Sequence, residues 1–250
     1  MIIILFFILG LLFGSFINVC IYRIPQGKSI ILPSSYCPFC KKRIFWFDNI
    51  PVLSYLFLKG RCRFCKHLIP LLYPIVEFLT GILFVVIYLK FGLSLTTFTF
   101  LVFVVFGIII SFIDLKSQLI PDSLSLPLII IGIILSPLNS FLNKPGIIFS
   151  LAGAIFGFIF LSIIAFLGKL IFKKEAMGGG DIKLISGIGA FIGPYGVIST
   201  IFIGSFLGTI YGIFLIIKRK TKSEPIAFGP FLFLGSLVYI LFDYFFKNLI

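Results

Sequence analysis

Long apolar runs alternate along the chain with short segments that collect Lys, Pro, Gly and the few acids. The runs lie near residues 2–22, 71–89, 95–113, 124–141, 147–168, 182–198, 200–217 and 229–246. Each has the roughly 17 to 25 residues that a helix needs to span a bilayer. The pattern therefore predicts an all-α polytopic membrane protein with about eight transmembrane helices. The first run opens Met1-Ile-Ile-Ile-Leu without a basic stretch, and no small-x-small site precedes Arg23. It is expected to remain as the first span rather than to be removed as a signal peptide. Residues 23–70 break the apolar pattern, so the expected organisation is a first helix (1–22), a polar loop module (23–70) and a membrane core of about seven helices (71–250). No internal repeat stands out.

Composition agrees with the pattern. Of the 250 residues, 60% are hydrophobic and 12% charged, with a mean hydropathy of +1.23, which excludes an ordinary soluble domain. The net charge of +13 raises the question of nucleic acid. The cations, however, are distributed among the loops instead of forming one face. If the N-terminus lies outside, loops 23–70, 114–123, 169–183 and 218–228 are cytoplasmic and contain 18 of the 21 Lys and Arg. Only Lys90, Lys144 and Lys247 fall on the other side. That asymmetry is what the positive-inside rule requires of eight alternating spans.

Four of the five cysteines sit in the first loop as Cys37-Pro-Phe-Cys40 and Cys62-Arg-Phe-Cys65, with 21 residues between the pairs. Each CxxC turn lets two thiolates converge on one ion, and two turns complete a tetrahedron, so the spacing points to a structural zinc site. In a loop too small for its own core, the ion supplies much of the folding free energy. Disulfides or ordinary thiols are the alternatives, and a reducing cytoplasm disfavours the first. His67 is a substitute ligand or a solvated side chain, and Cys20 in the first run is a small apolar packing residue.

The eight acids are few enough for position to carry information. Asp48, Glu175 and Glu224 lie in basic loops and Asp243 near an outer helix end, where local charge balance accounts for them. Glu77, Asp114, Asp122 and Asp181 remain. An ionisable group at membrane depth is costly unless paired or hydrated, which makes it a functional candidate. Asp114 ends the third run and Asp181 opens the sixth, both on the cytoplasmic side. Two carboxylates that meet cannot both ionise; one keeps its proton, the other acts as base, and the pair activates a water against an amide. Asp181, at a helix N-terminus, is the expected anionic partner. Taken singly, each Asp reads as a helix cap or a partner for Lys116 or Lys183. Gly178-Gly179-Gly180 permits close backbone approach to a substrate, or is a plain flexible link. Glu77 is expected either to bind a substrate amine or a nearby Lys, or to be satisfied by a neighbouring helix.

These segments together resemble a known family. Gly14-Ser-Phe-Ile-Asn-Val-Cys-Ile-Tyr-Arg-Ile-Pro25, the paired CxxC loop, Tyr73-Pro-Ile-Val-Glu77, Asp114 with Ile120-Pro-Asp122, Gly178-Gly-Gly-Asp-Ile-Lys183 and Phe228-Gly-Pro-Phe231 look like successive signatures of the type IV prepilin peptidases. The resemblance implies a GxGD aspartic membrane peptidase that cuts the short basic leader from type IV prepilins or pseudopilins. Cleavage follows a glycine at the cytoplasmic face of the bacterial inner membrane. Bacterial members commonly also N-methylate the new N-terminus with S-adenosylmethionine. Carried over by motif, Asp114 and Asp181 are the catalytic pair, flanked by Gly178 and Gly180. Asp122 is the rival for the first position and otherwise, with Lys183 and Glu77, a substrate-binding or structural residue. The cysteines correspond to a zinc loop that some relatives lack. Leu71 and Leu72 stand where many members carry an Arg, a departure that bears on methylation more than on cleavage, and no Gly-rich nucleotide fingerprint is present. A proton- or ion-coupled transporter is the competing class, but it predicts charges in span interiors rather than at one boundary and has no role for a zinc loop; a zinc-stabilised membrane scaffold without catalysis is the third.

Overall fold

The structure is a computed structural model that describes residues 1–142, 145–173, 177–219 and 226–243. Lys144, Glu175, Glu224, Lys247 and the end of the eighth apolar run lie outside the described residues. The fold is helical, and among the described residues β-structure is limited to two isolated bridges, Tyr36 with Arg43 and Arg61 with Leu68. Among the described residues five helical segments are long and apolar enough to cross a membrane: Ile2–Gln26, Leu72–Phe91, Leu95–Ser117, Gly146–Ile171 and Gly179–Lys218. Two shorter apolar segments, Asp122–Leu138 and Gly229–Leu241, accompany them. The expected spans at 182–198 and 200–217 form one element of 41 residues, broken at Gly193 rather than near residue 199.

The chain divides into two compact units, Met1–Leu93 and Ser94–Ile250. In the first, α1 (Ile2–Arg23) packs along α3 (Leu72–Phe91), with the cysteine loop and the single-turn α2 (Leu53–Phe57) between them in sequence. Gly10 and Gly14, four apart on α1, make this pairing close. A Cβ on Gly10 would lie 2.7 Å from the Cα of Gly81, and one on Gly14 would lie 2.5 Å from the Cα of Glu77. Lipid tails are as apolar as Leu, so helices in a bilayer associate by such backbone-to-backbone fit rather than by hydrophobic burial. Phe6 stacks on Tyr88 in the same pairing, with ring centres 4.5 Å apart.

The second unit contains α4 (Leu95–Ser117), α5 (Asp122–Leu135), α6 (Gly146–Phe172), α7 (Gly179–Arg219) and α8 (Gly229–Leu241). Ser94 caps α4 by accepting the Thr97 N–H at 3.1 Å. Helix α7 packs against α5, α6 and α8. At its break Gly193 takes φ 74, a left-handed conformation suited to glycine, and Pro194 follows without an N–H. The break strands carbonyls that water cannot reach, and neighbouring side chains satisfy them. Ser150 donates to Ala190 O at 2.7 Å and Asn139 Nδ2 to Phe191 O at 2.9 Å. Lipid tolerates broken helices only on this condition.

Candidate active site and metal centre

Helix α4 ends one turn beyond Asp114. Gln118 turns left-handed at φ 54 and its N–H returns to the Asp114 carbonyl at 2.7 Å. Pro121 disfavours helix at Ile120, and the chain restarts as α5 at Asp122. Asp181 is the third residue of α7, and its carboxylate accepts the backbone N–H of Gly178, the residue just before the helix. This is the acidic half of a capping box, which fixes the side chain over the helix N-terminus.

Ile120 lies between the elements that bear the two acids. A Cβ on Gly180 would meet the Cβ of Ile120 at 2.8 Å, and one on Gly229 would meet its Cδ1 at 3.4 Å. Gly229, at the start of α8, donates its N–H to Asp114 Oδ2 at 2.8 Å in buried surroundings. Asp114 retains 4% of its surface and is close enough to Asp181 for the two carboxyls to interact electrostatically. Two acids separated by 66 residues in sequence thus share one locality at the ends of three helices. Ser111, one turn before Asp114, buries a hydroxyl with no partner among the described residues, the kind of group that ordered water usually meets.

Asp122 stands apart from this pair. It is exposed and takes Lys183 Nζ at 2.6 Å, so Lys183 is engaged by Asp122 instead of Asp181. With side chains 33% and 60% exposed, the bridge ties the starts of α5 and α7 together with about 0–1 kcal/mol. Glu77 lies in the first unit, where its Oε2 accepts the Val52 N–H at 2.7 Å and Ser15 and Asn18 of α1 add side-chain hydrogen bonds. Val52 holds φ 59, a region that costs a β-branched residue about 1–3 kcal/mol.

The four sulfurs of Cys37, Cys40, Cys62 and Cys65 all lie within 4.8 Å of one another, and Cys37 Sγ is 3.8 Å from Cys65 Sγ. Zinc–sulfur bonds of about 2.3 Å give a tetrahedron edge of about 3.8 Å, so the cluster matches a four-thiolate ion site. Each pair closes by the same turn. Lys41 N–H returns to Cys37 O at 2.9 Å, Lys66 N–H returns to Cys62 O at 3.0 Å, and Lys41 and Lys66 both take φ 58. The two turns form a short repeat, Cys-x-Phe-Cys-Lys at an offset of 25 residues, too brief to stand out from the sequence without its fold. Their rings exchange between halves: Phe39 stacks on His67, and Phe64 receives Lys42 Nζ 4.8 Å from its centre. His67 therefore serves as a stacking partner outside the sulfur cluster.

The thiols differ in acidity. Burial pushes the Cys62 thiol up, but the backbone N–H groups of Cys65 and Phe64 and the neighbouring sulfurs outweigh it, bringing Cys62 down to about 7. The backbone at His67 favours the Cys65 thiolate, whereas burial and the three other sulfurs outweigh it and hold Cys65 at about 11. Cys62 therefore gives up its proton more readily than Cys65, and a divalent cation binds such a cluster by displacing the protons that remain.

Residues 8–91 match the bacterial Peptidase A24 N-terminal domain and residues 101–213 the type IV leader peptidase family. The boundary between these matches coincides with the division after Leu93. The chain is 36% identical over 240 residues to a prepilin leader peptidase/N-methyltransferase of Bacillus subtilis, covering 94% of this chain and 92% of that protein. It is 35% identical over 247 residues to the protein of the same name in Neisseria gonorrhoeae, covering 89% and 84%. A Myxococcus xanthus relative of that name is 35% identical over 233 residues, covering 90% and 68%. No solved structure matches the chain at a significant level.

Proposed function

Because this chain belongs to the type IV leader peptidase family, we propose that it cuts the basic leader from type IV prepilins or pseudopilins, with Asp114 and Asp181 as the acid–base pair. The observation that carries this reading is the meeting of those two acids around Ile120, while Asp122 is exposed and neutralised by Lys183. In the mechanism, a water sits between the carboxyls. The ionised one removes its proton as the oxygen attacks the scissile carbonyl, and the protonated one hydrogen-bonds and then protonates the carbonyl oxygen. Collapse of the tetrahedral species expels the new N-terminal amine, which takes a proton from the pair. No covalent enzyme intermediate forms. Each carboxyl receives one backbone N–H, from Gly229 and Gly178, and because the two carboxyls also interact with each other, the roles of acid and base belong to the pair rather than to either residue.

The lysine and arginine distribution supports eight crossings with the acids and cysteine loop on the cytoplasmic side. In that topology α5 and α8 are short spans and α7, divided at Gly193, provides two. The cysteine cluster holds zinc as a structural ion, and Glu77 anchors the loop through Val52. Methylation of the new N-terminus is carried by the relatives' names. A cavity of about 280 Å³ lined by Leu12, Phe16, Val19, Arg23, Ser34 and Asn49 contains no carboxylate to meet a ribose or a sulfonium, and it is therefore a poor seat for S-adenosylmethionine.

The test is cleavage of a prepilin by the purified protein in detergent. Asp114→Asn and Asp181→Asn should each lower the rate by at least about 10²-fold, the usual contribution of a positioned acid or base. Asp122→Asn should stay within a few-fold of wild type. Retained cleavage in both Asn variants, or loss in Asp122→Asn alone, overturns the assignment.

A further inference from the structure

Arg23 ends α1 with only 6% of its surface exposed. Its guanidinium donates to Ser29 O at 3.0 Å and to Pro33 O at 2.8 Å, and lies 5.9 Å from the centre of the Tyr36 ring. These partners are neutral. The first unit contains two acids, and both are engaged elsewhere: Asp48 by Arg63 at 2.6 Å, and Glu77 by Val52. Within this unit no carboxylate pairs with Arg23; a buried cation without a counter-charge is unfavourable, and it invites an anion from outside the unit.

Arg23 also lines an open groove of about 280 Å³, contained entirely in this unit. Its floor is Leu12, Phe16 and Val19, which with Arg23 recur every three or four residues along one face of α1. That stripe is about 16 Å long at the helical rise. Leu12 and Phe16 are 53% and 45% exposed on a helix long and apolar enough to span a membrane. Ser34 and Ser35 add hydroxyls to the groove. It is therefore apolar along the span and cationic with hydroxyls at the span's end, the polarity profile of a phospholipid from acyl chain to phosphate.

We propose that this groove binds an anionic phospholipid, its phosphate on Arg23 and the serine hydroxyls and its first acyl carbons along Leu12, Phe16 and Val19. A free phosphate leaves the apolar floor unused. The surrounding module matches the same partner: residues 23–70 carry nine Lys and Arg against one acid, and Trp46 and Phe57 are 81% and 83% exposed, as interfacial aromatic anchors are. The inference rests on the first unit alone and does not depend on the peptidase assignment.

The experiment uses the full chain, purified in detergent, incubated with phosphatidylglycerol or phosphatidylcholine, washed, and assayed for bound phospholipid and for zinc. Wild type should retain about one phosphatidylglycerol per chain and discriminate against phosphatidylcholine. Arg23→Gln should weaken retention roughly tenfold, the loss of one charge-assisted hydrogen bond. Because Arg23→Gln removes loop contacts as well, Ser34→Glu at an exposed position supplies a competing anion without touching Arg23. It should weaken retention similarly with zinc content unchanged. Unchanged retention in Ser34→Glu, equal retention of phosphatidylcholine, or displacement by millimolar inorganic phosphate or S-adenosylmethionine overturns the proposal.

Discussion

Replacing Gly229 by Ala tests whether Asp114 is held by backbone. The added Cβ would lie 2.9 Å from Asp114 Oδ2 and 3.4 Å from both Ile120 Cδ1 and Leu184 Cδ2. Ordinary carbon–oxygen contact needs several tenths of an ångström more, and the two flanking side chains leave little room for α8 to retreat. The carboxylate must therefore swing away and give up the 2.8 Å bond from the Gly229 N–H. A hydrogen bond to an ionised group contributes about 1.5–3 kcal/mol, which corresponds to a rate loss of roughly ten- to a hundredfold. The loss should appear in kcat for a prepilin substrate, with KM and thermal stability little changed. Gly208→Ala is the control at the same α7–α8 contact, since its Cβ would meet Phe228 and Phe231 at an ordinary 3.7 Å. A Gly229→Ala enzyme that cuts within twofold of wild type, or a Gly208→Ala enzyme equally impaired, refutes the idea that this N–H positions the acid.

Two further outcomes follow from the fold. Chelation of the purified protein should expose four thiols to a water-soluble reagent that finds none beforehand, while Cys20, 2% exposed, stays silent; reactivity without chelation contradicts the metal cluster, and a fifth reactive thiol contradicts the burial of Cys20. Asn139→Ala strands the Phe191 carbonyl beside the break in α7 and should cost about 1–3 kcal/mol, measured as a lowered midpoint of thermal or denaturant unfolding; an unchanged midpoint refutes the idea that this amide satisfies the break.

Much of the site is visible in the residues because its chemistry is rare in this chain. Eight acids and five cysteines among 250 residues cannot be placed without consequence. Hydropathy picks out the apolar segments but not the joint in α7. Gly193-Pro194 sits inside an unbroken apolar run, and its meaning depends on Ser150 and Asn139 arriving from elsewhere. The same holds for Gly229, whose motif stands out in the sequence but whose role as an N–H donor requires a contact across 115 residues. Gly10 and Gly14 carry the small-xxx-small signal for close helix pairing, which is readable in principle. The pairing of Lys183 with Asp122 is not, since Asp181 is nearer in sequence.

The exchange of rings in the cysteine module limits how it can vary. Each knuckle gives its phenylalanine to the other half, so removing one knuckle leaves two sulfurs of a four-sulfur cluster and a ring without its mate. Intermediate versions have nothing to fold against. The segment is inheritable as a whole or dispensable as a whole, and a lineage that lost one CxxC should soon have shed the second along with the basic turn that carries it.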